Sequence, residues 1–237
     1  MKTFKAHTGP FKERPYFTPQ EIESICLSEL QANELLPLEP APIRIDRFIE
    51  KKYNITPQYE NMENSILGYT IFSQTGVQAM MINRCLDEEN SQASERRIRS
   101  TLAHEAGHCL LHTHLFSNLS SSRPLFADYQ NPRRPKVLCR DVPGNDHSGS
   151  LKTYDGRWWE FQANSVIGSL LLPRPLLEKA LEPYKIKAGL LGIKQLDPTK
   201  RALAINSIVD IFNINPIVAK IRLDGLYPVA KETQMSL

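Results

Sequence analysis

The sequence lacks the features that mark exported, membrane-spanning and disulfide-bonded proteins. Its first residues, MKTFKAHTGPFKERPYF, contain no apolar run like that of a signal peptide, and no stretch approaches the roughly 18 apolar residues of a membrane span. The four cysteines, Cys26, Cys85, Cys109 and Cys139, form no CxxC pair, which argues against a structural zinc knuckle and a disulfide scaffold. We therefore expect a soluble cytoplasmic protein whose thiols are reduced.

A large excess of charge of either sign is also missing. The chain has 29 Lys and Arg residues against 26 Asp and Glu, a formal net charge of +3, which by itself does not indicate a nucleic-acid-binding protein. Its 237 residues, 41% of them hydrophobic, are enough for one domain with an appendage or for two small domains. No internal repeat is visible.

The distribution of apolar residues predicts an α+β protein that is mainly helical, with a small antiparallel β-sheet. Thr18-Pro19-Gln20-Glu21 has the pattern of a capping box and predicts the start of a helix. The segments ILGYTIF (66–72) and VQAMMIN (77–83) predict a β-hairpin. Further helices are predicted at 43–53, 93–115, 156–172 and 202–212, with a short one from Asn215-Pro216 to Asp224-Gly225.

Three parts follow from this pattern. Residues 1–17 are expected to form a loose N-terminal arm, 18–175 the main domain, and 176–237 a C-terminal helical segment. Inside the main domain, residues 116–157 show little periodicity, which is typical of a functional lid or of partial disorder.

The central motif is His104-Glu105-Ala106-Gly107-His108, an HExxH sequence on the predicted helix 93–115. Residues four apart on a helix share one face and lie about 6 Å apart, so both imidazoles can reach one zinc ion. Glu105 then lies beside them, where it can take a proton from a water molecule activated by the metal. The neighbouring residues are apolar, and histidine and glutamate in a buried helix need partners, which a metal provides.

A catalytic zinc usually has three protein ligands, and three residues are candidates for the third position. His114 has the spacing of a metzincin ligand, but Leu111 stands where that class needs a helix-breaking glycine. His112 lies about 12 Å along the helix axis from His104, too far to share the ion unless the helix breaks, and is expected instead to contact a ligand or to have a structural role. Glu160 is the favoured candidate.

Glu160 belongs to WWEFQANSVIGSLLLP, which predicts a second amphipathic helix. Asn164 falls one turn later on the same face, where its amide can hydrogen-bond a ligand histidine and fix the tautomer of the ring.

These segments resemble the ImmA/IrrE group of zinc metallopeptidases. The resemblance extends from about Glu21 to Gly225 and is carried by RRIRSTLAHEAGHCLLH, EFQANSVIGSLLLP, IRIDRFIEKKYNI, ILGYTIF and VDIFNINPIVAKIRLDGL. It implies a zincin-like peptidase core followed by a helix–turn–helix-like segment. It further implies zinc held by His104, His108 and Glu160, and Glu105 as the catalytic base.

The same resemblance implies a cytoplasmic, narrowly specific peptidase that acts on a helix–turn–helix repressor. The segment 116–157 is long for this family, so substrate access is not carried over from it. The alternative is a zinc-containing regulatory module that binds a repressor or DNA without proteolysis. Glu105 favours the enzyme, because a structural zinc site needs no base. The last predicted helix offers only Lys220 and Arg222 to phosphate groups, which favours packing or partner docking over DNA binding.

Other roles stay open at the level of sequence. Tyr154, His147 and His112 are candidate donors to the oxyanion of the transition state. Cys139 could act as a switchable fourth ligand or be an ordinary free thiol. We expect Val77–Asn83 to be a sheet edge along which a substrate strand aligns.

Overall fold

The computed structural model of the chain describes residues 2–5, 11, 13–63, 65–119, 136–140, 158–188 and 193–228, with the backbone alone at 118, 119, 136–140, 188 and 193. Over these ranges the chain is a mixed α+β protein in which helices predominate and the strands form small sheets, as the sequence predicts. None of the helices in the described ranges combines the length and apolar character needed to cross a membrane.

Strands and helices follow one another in an irregular order along the chain. The strands are β1 (Lys2–Lys5), β2 (Glu13–Tyr16), β3 (Gln58–Glu60), β4 (Ile66–Ser73), β5 (Gly76–Asn83), β6 (Lys136–Arg140), β7 (Lys185–Ala188) and β8 (Ile193–Leu196). The helices are α1 (Pro19–Ala32), α2 (Ile45–Tyr53), α3 (Arg84–Glu88), α4 (Gln92–Leu119), α5 (Trp158–Leu171), α6 (Arg174–Leu181), α7 (Arg201–Phe212) and α8 (Pro216–Leu226).

Polar residues cap the first turns of α1 and α8. At α1, the Thr18 hydroxyl accepts from the Glu21 backbone N–H at 3.2 Å, and the Glu21 carboxylate accepts from the Thr18 N–H at 2.8 Å. This is the predicted capping box. At α8, the Asn215 side chain accepts from the Ile217 N–H at 3.0 Å. The capping residues of both helices are thus visible in the sequence.

The predicted hairpin is confirmed, but its position in the sheet differs from expectation. The sheet has the order β3-β5-β4-β6, in which β4 pairs antiparallel with both β5 and β6. Strand β3 runs parallel to β5 and pairs with it at Met81–Asn83. The prediction that Val77–Asn83 is an edge strand is therefore wrong over these last residues. Strand β3 escaped prediction because its three residues are all exposed and give no alternating pattern.

The N-terminal arm is not loose. Strands β1 and β2 pair antiparallel, and we call residues 2–5, 11 and 13–16 the N-terminal ribbon. Between the strands, Phe11 is only 6% exposed, and its ring contacts Phe116, Trp158 and Trp159 at centroid distances of 5.1–5.7 Å. One aromatic side chain thus attaches the ribbon to α4 and α5. Strands of four residues are too short to show periodicity in the sequence.

Helix α4 lies at the centre of the fold, with α5 against one side and the hairpin of β4 and β5 against another. Two arginines join its first half to other parts of the chain. Arg96 donates to Asp210 and Asn213 at 3.1 Å, and Arg99 donates to the carbonyl of Ile43 at 2.9 Å. The first half of α4, which leads into the motif, is therefore tied to α7 and to the segment before α2.

The C-terminal segment contains more than the predicted helices. Helices α7 and α8 are present and are separated by a short turn at Asn213, whose φ of 47° is left-handed. Strands β7 and β8 form an antiparallel hairpin that the expectation of a purely helical segment missed. Buried residues of α6, α7 and α8 belong to the same hydrophobic core as α4 and α5, so this segment packs on the main domain.

Gly107 allows the closest approach between α4 and α5. A Cβ at this position would lie 3.0 Å from the Cα and carbonyl oxygen of Ala163, and 3.1 Å from the Cβ of Val166. Two of these atoms are helix backbone, which cannot move away without moving α5 itself. Any side chain at Gly107 therefore pushes α5 away from the histidines of α4.

We expect Gly107→Ala to lower the free energy of unfolding of the metal-free protein by about 1–3 kcal/mol, the usual cost of overpacking. Gly225→Ala is the matched control, because a Cβ there meets no heavy atom within 4 Å. It should instead stabilise α8 by roughly 0.5–1 kcal/mol. Urea unfolding followed by circular dichroism measures both. Equal stability of the two variants would contradict the close approach.

Candidate metal centre

Helix α4 places His104, Glu105 and His108 near its middle, where all three are buried. Ala106 within the motif and the flanking Leu102, Ala103 and Cys109 are buried as well, so this part of α4 lies in the protein interior. Helix α5 brings Glu160, which is partly exposed, to the same point. The two helices together form a buried group of two histidines and one glutamate that could hold a metal ion.

The ligand atoms have the spacing that a single ion requires. The Nε2 atoms of His104 and His108 are 3.1 Å apart, and they lie 3.2 and 3.6 Å from Oε2 of Glu160. Ligands about 2.0–2.2 Å from one tetrahedral zinc ion lie roughly 3.3–3.5 Å from one another. The residues present therefore fit a four-coordinate metal ion with one position left for another ligand.

The tautomer of His104 favours a cation between these atoms. Nδ1 of His104 lies 2.9 Å from Oδ1 of Asn164, which can only accept, so Nδ1 carries the proton. The Nε2 lone pair then points at the carboxylate of Glu160. A positive ion relieves the repulsion among these electron-rich atoms.

Glu105 is fully buried beside the same atoms. Its Oε2 accepts from the hydroxyl of Thr70 in β4 at 2.6 Å, whereas its Oε1 is buried and has no hydrogen-bond partner among the described residues. Burial raises the pKa of Glu105, partly offset by His104 and His108. An unpartnered buried carboxylate oxygen is costly, and a water molecule at the metal would satisfy it.

His112 does not fit the predicted role of oxyanion donor. It is fully buried, and both of its ring nitrogens already have partners: Nδ1 lies 3.2 Å from Nδ1 of His108 and Nε2 lies 2.9 Å from Oε1 of Gln162. Burial lowers the pKa of His112 to about 3, so the ring is neutral at physiological pH. His112 contacts a candidate ligand rather than the open position of the site.

Aromatic rings enclose the buried side of the site. Phe116 stacks on Phe72 with ring centroids 5.0 Å apart, and its edge meets His108 at 5.9 Å. Trp158 meets His112 edge-on at 5.6 Å. Such an apolar shell excludes water from the rear of the site and lowers the local dielectric constant, which strengthens the interactions of the charged groups.

The structure separates the candidate residues of the sequence into three sets. It brings His104, Glu105, His108, Glu160 and Asn164 together. His114 is exposed on another face of α4 and is not in the group that could hold a metal. The candidates that lie outside the described side chains are Tyr154, His147 and Cys139.

Sequence reasoning missed Thr70 and Gln162. A signal for Thr70 exists, because it is a short polar side chain in the otherwise apolar strand sequence ILGYTIF, directly before the metal-site helix. Gln162 lies between Glu160 and Asn164 on α5 and gives no such signal, because exposed glutamines are common on helices.

Comparison of the sequence with known proteins assigns no family: no family model matches the chain, and no curated protein matches it significantly. What the chain does is therefore inferred from its own residues.

We expect purified protein to bind one metal ion per chain at these residues. Replacing His104, His108 or Glu160 by alanine should each weaken binding by more than about 100-fold, the upper end of what loss of an outer partner costs. His114→Ala, on the same helix, should bind as tightly as wild type. Competition with a chromophoric chelator measures the affinities. A Glu160→Ala variant of unchanged affinity would show that the third ligand lies elsewhere.

Proposed function

We propose that this chain is a zinc-dependent endopeptidase of the ImmA/IrrE type, which hydrolyses a peptide bond in a specific partner protein. The observation that carries the proposal is Oε1 of Glu105, which is fully buried on the helix that carries two of the candidate ligands and has no hydrogen-bond partner among the described residues. A purely structural metal site has no use for a buried carboxylate that is not a ligand. A hydrolytic site needs one as a base.

The donor set favours zinc. Two imidazoles and one carboxylate are the ligands of the thermolysin type of catalytic zinc, which keeps its fourth position open. A bound zinc ion supplies Lewis-acid chemistry, lowering the pKa of water and polarising a carbonyl group.

Glu105 moves the protons in this proposal. Its Oε1 accepts a proton from the water molecule that adds to the peptide carbonyl carbon. The same oxygen then donates that proton to the amide nitrogen as the C–N bond breaks, which leaves a carboxylic acid and an amine. Thr70 donates to Oε2 and so restrains the orientation of the carboxylate, whose other oxygen acts as the base. Asn164 fixes the ring of His104 in the tautomer that leaves Nε2 free for the metal.

A protein substrate is favoured over DNA by the charges on α8. Arg222 is held by Glu23 at 2.8 Å and also donates to the carbonyl of Leu172, so it is engaged within the fold. Lys220 is exposed, but one cation gives little affinity for a phosphate backbone. The identification of the partner as a helix–turn–helix repressor rests on the family resemblance. No observation specifically favours the non-proteolytic module.

Glu105→Gln should remove peptidase activity, because an amide of nearly the same shape cannot accept the proton of the attacking water. We expect a loss of 10²- to 10⁴-fold, roughly the contribution of a general base. Zinc affinity and unfolding should change little. Activity is measured by mass spectrometry of a proteome-derived peptide library and of candidate repressors, each incubated with the zinc-loaded protein.

Cleavage sites that appear with wild type and vanish with Glu105→Gln identify both substrate and scissile bond. Cleavage at equal rates by the two proteins would point to a contaminating protease and leave the proposal without support. If the zinc-loaded wild type cleaves nothing while Glu105→Gln still complements a deletion in cells, the binding module is the correct function.

Thr70→Val keeps the shape of the side chain but removes the hydrogen bond to Glu105. Because that bond lowers the pKa of Glu105, its loss raises the pKa further. The base must be ionised to act, so the acidic limb of the kcat/KM profile should move to higher pH. We also expect kcat/KM at neutral pH to fall roughly 10- to 100-fold, as for other hydrogen bonds to charged groups.

Thr101→Val is the matched control for Thr70→Val. Thr101 is also buried, but its hydroxyl donates to the Arg97 carbonyl within α4 and not to Glu105. Its pH profile should coincide with that of wild type. Identical shifts in both variants would mean that Thr70 acts through general packing alone.

A further inference from the structure

We propose that the N-terminal ribbon sets the metal affinity of the site through a chain of oriented hydrogen bonds. The chain runs from the Pro15 carbonyl through Gln162 and His112 to His108, and we call these four residues the relay. The inference deepens the proposed function, since it concerns the same metal site, and it rests on that site taking up zinc.

The relay is continuous and almost entirely buried. Nε2 of Gln162 lies 2.9 Å from the Pro15 oxygen, and Oε1 of Gln162 lies 2.9 Å from Nε2 of His112. Nδ1 of His112 lies 3.2 Å from Nδ1 of His108. Both histidines are fully buried and Gln162 is 5% exposed, so bulk water does not replace these partners.

The direction of every bond follows from the Pro15 carbonyl. A carbonyl oxygen can only accept, so the amide nitrogen of Gln162 must face it and the amide oxygen must face His112. That oxygen also only accepts, so the proton of neutral His112 sits on Nε2. Nδ1 of His112 is then an acceptor, and His108 must carry its own proton on Nδ1. The lone pair of His108 is left on Nε2, the atom that faces His104 and Glu160.

The two histidine ligands are therefore oriented by different parts of the chain. His104 is fixed by Asn164, which lies on α5 beside Glu160. His108 is fixed through Gln162 and His112 by the ribbon. Pro15, the ribbon residue at the end of this chain, lies 147 positions from Gln162 in the sequence. If the ribbon leaves, the Gln162 amide can rotate, the proton of His112 is no longer assigned, and His108 populates the tautomer that cannot bind metal.

Ribbon docking and metal binding must also be coupled in reverse. If the ribbon raises the affinity for zinc by some factor, zinc raises the affinity of the ribbon for its site by the same factor. Phe11 is one attachment of the ribbon, through its contacts with Phe116, Trp158 and Trp159.

The first test is a double-mutant cycle on zinc affinity, measured by chelator competition on full-length protein whose fold is checked by circular dichroism. His112→Phe and Gln162→Leu should each weaken zinc binding about 10- to 100-fold, as for other outer partners of a ligand. Because both cut the same chain, the double variant should bind no more weakly than the weaker single variant. His114→Phe, the same change at an exposed histidine of α4, should match wild type.

The second test uses a conservative variant to distinguish an effect of the ribbon on hydrogen-bond direction from an effect of its packing alone. Gln162→Glu keeps an acceptor for His112 whichever way the side chain turns, so its zinc affinity should no longer depend on the ribbon. Phe11→Leu, which loosens the ribbon, should weaken zinc binding about 10-fold in wild type, the lower end of the same range. It should have no effect in the Gln162→Glu background. An equal loss in both backgrounds refutes the relay.

Nitrogen NMR of the histidines in the metal-free protein gives a direct spectroscopic readout. His108 should carry its proton on Nδ1 in wild type and in Gln162→Glu, and should show both tautomers in Gln162→Leu. Wild type that takes up no zinc would refute the proposed function itself. Zinc uptake with unchanged affinity and tautomer in every relay variant would leave the metal site standing and overturn the relay.

Discussion

The contact between α4 and α5 at Gly107 and Ala163 is the constraint on which the site depends. Two helices that meet without a side chain between them come close enough for a glutamate of one to reach two histidines of the other. A single Cβ at Gly107 would collide with the backbone of Ala163, so the distance has no slack. The distance between the two helices therefore sets the spacing of the three ligand atoms.

Burying so many polar groups beside that contact forces the surroundings to provide partners. Thr70 comes from the sheet, Asn164 from α5, and the acceptor for Gln162 from the ribbon. Each of these elements also contributes to the hydrophobic core, through residues such as Phe72, Val166 and Phe11. The packing that excludes water from the site therefore also positions the polar groups that take the place of water as hydrogen-bond partners. Among the described residues Oε1 of Glu105 has no such partner, and the proposed chemistry depends on this oxygen.

Local features of the sequence were enough for much of the site. The spacing of His104 and His108 is a property of one helix, and the capping residues of α1 and α8 act within one turn, so both could be predicted. The pattern of the second helix is enough to predict Glu160 as a ligand. Its closeness to the two histidines, however, depends on the small residues where α4 and α5 meet. The ribbon, β3 and the β7–β8 hairpin were missed because strands of three or four residues, mostly exposed, carry no periodic signal. The bond between Gln162 and Pro15 joins residues 147 positions apart, which no local pattern encodes.

That separation has a consequence for biosynthesis. Ribosomes add about 5–20 residues per second, so roughly 7 to 30 s pass between the emergence of Pro15 and that of Gln162. During this interval the ribbon has no Trp158 or Trp159 to cover Phe11, and its strand edges are open to other nascent chains. The four residues of β1 are all exposed in the folded protein, and Lys2 and Lys5 place a charge on either side of its one large apolar residue, Phe4. Charged, short strands resist pairing with foreign chains. The short length that leaves the ribbon strands without a periodic signal therefore also limits their pairing with other chains before α5 is synthesised.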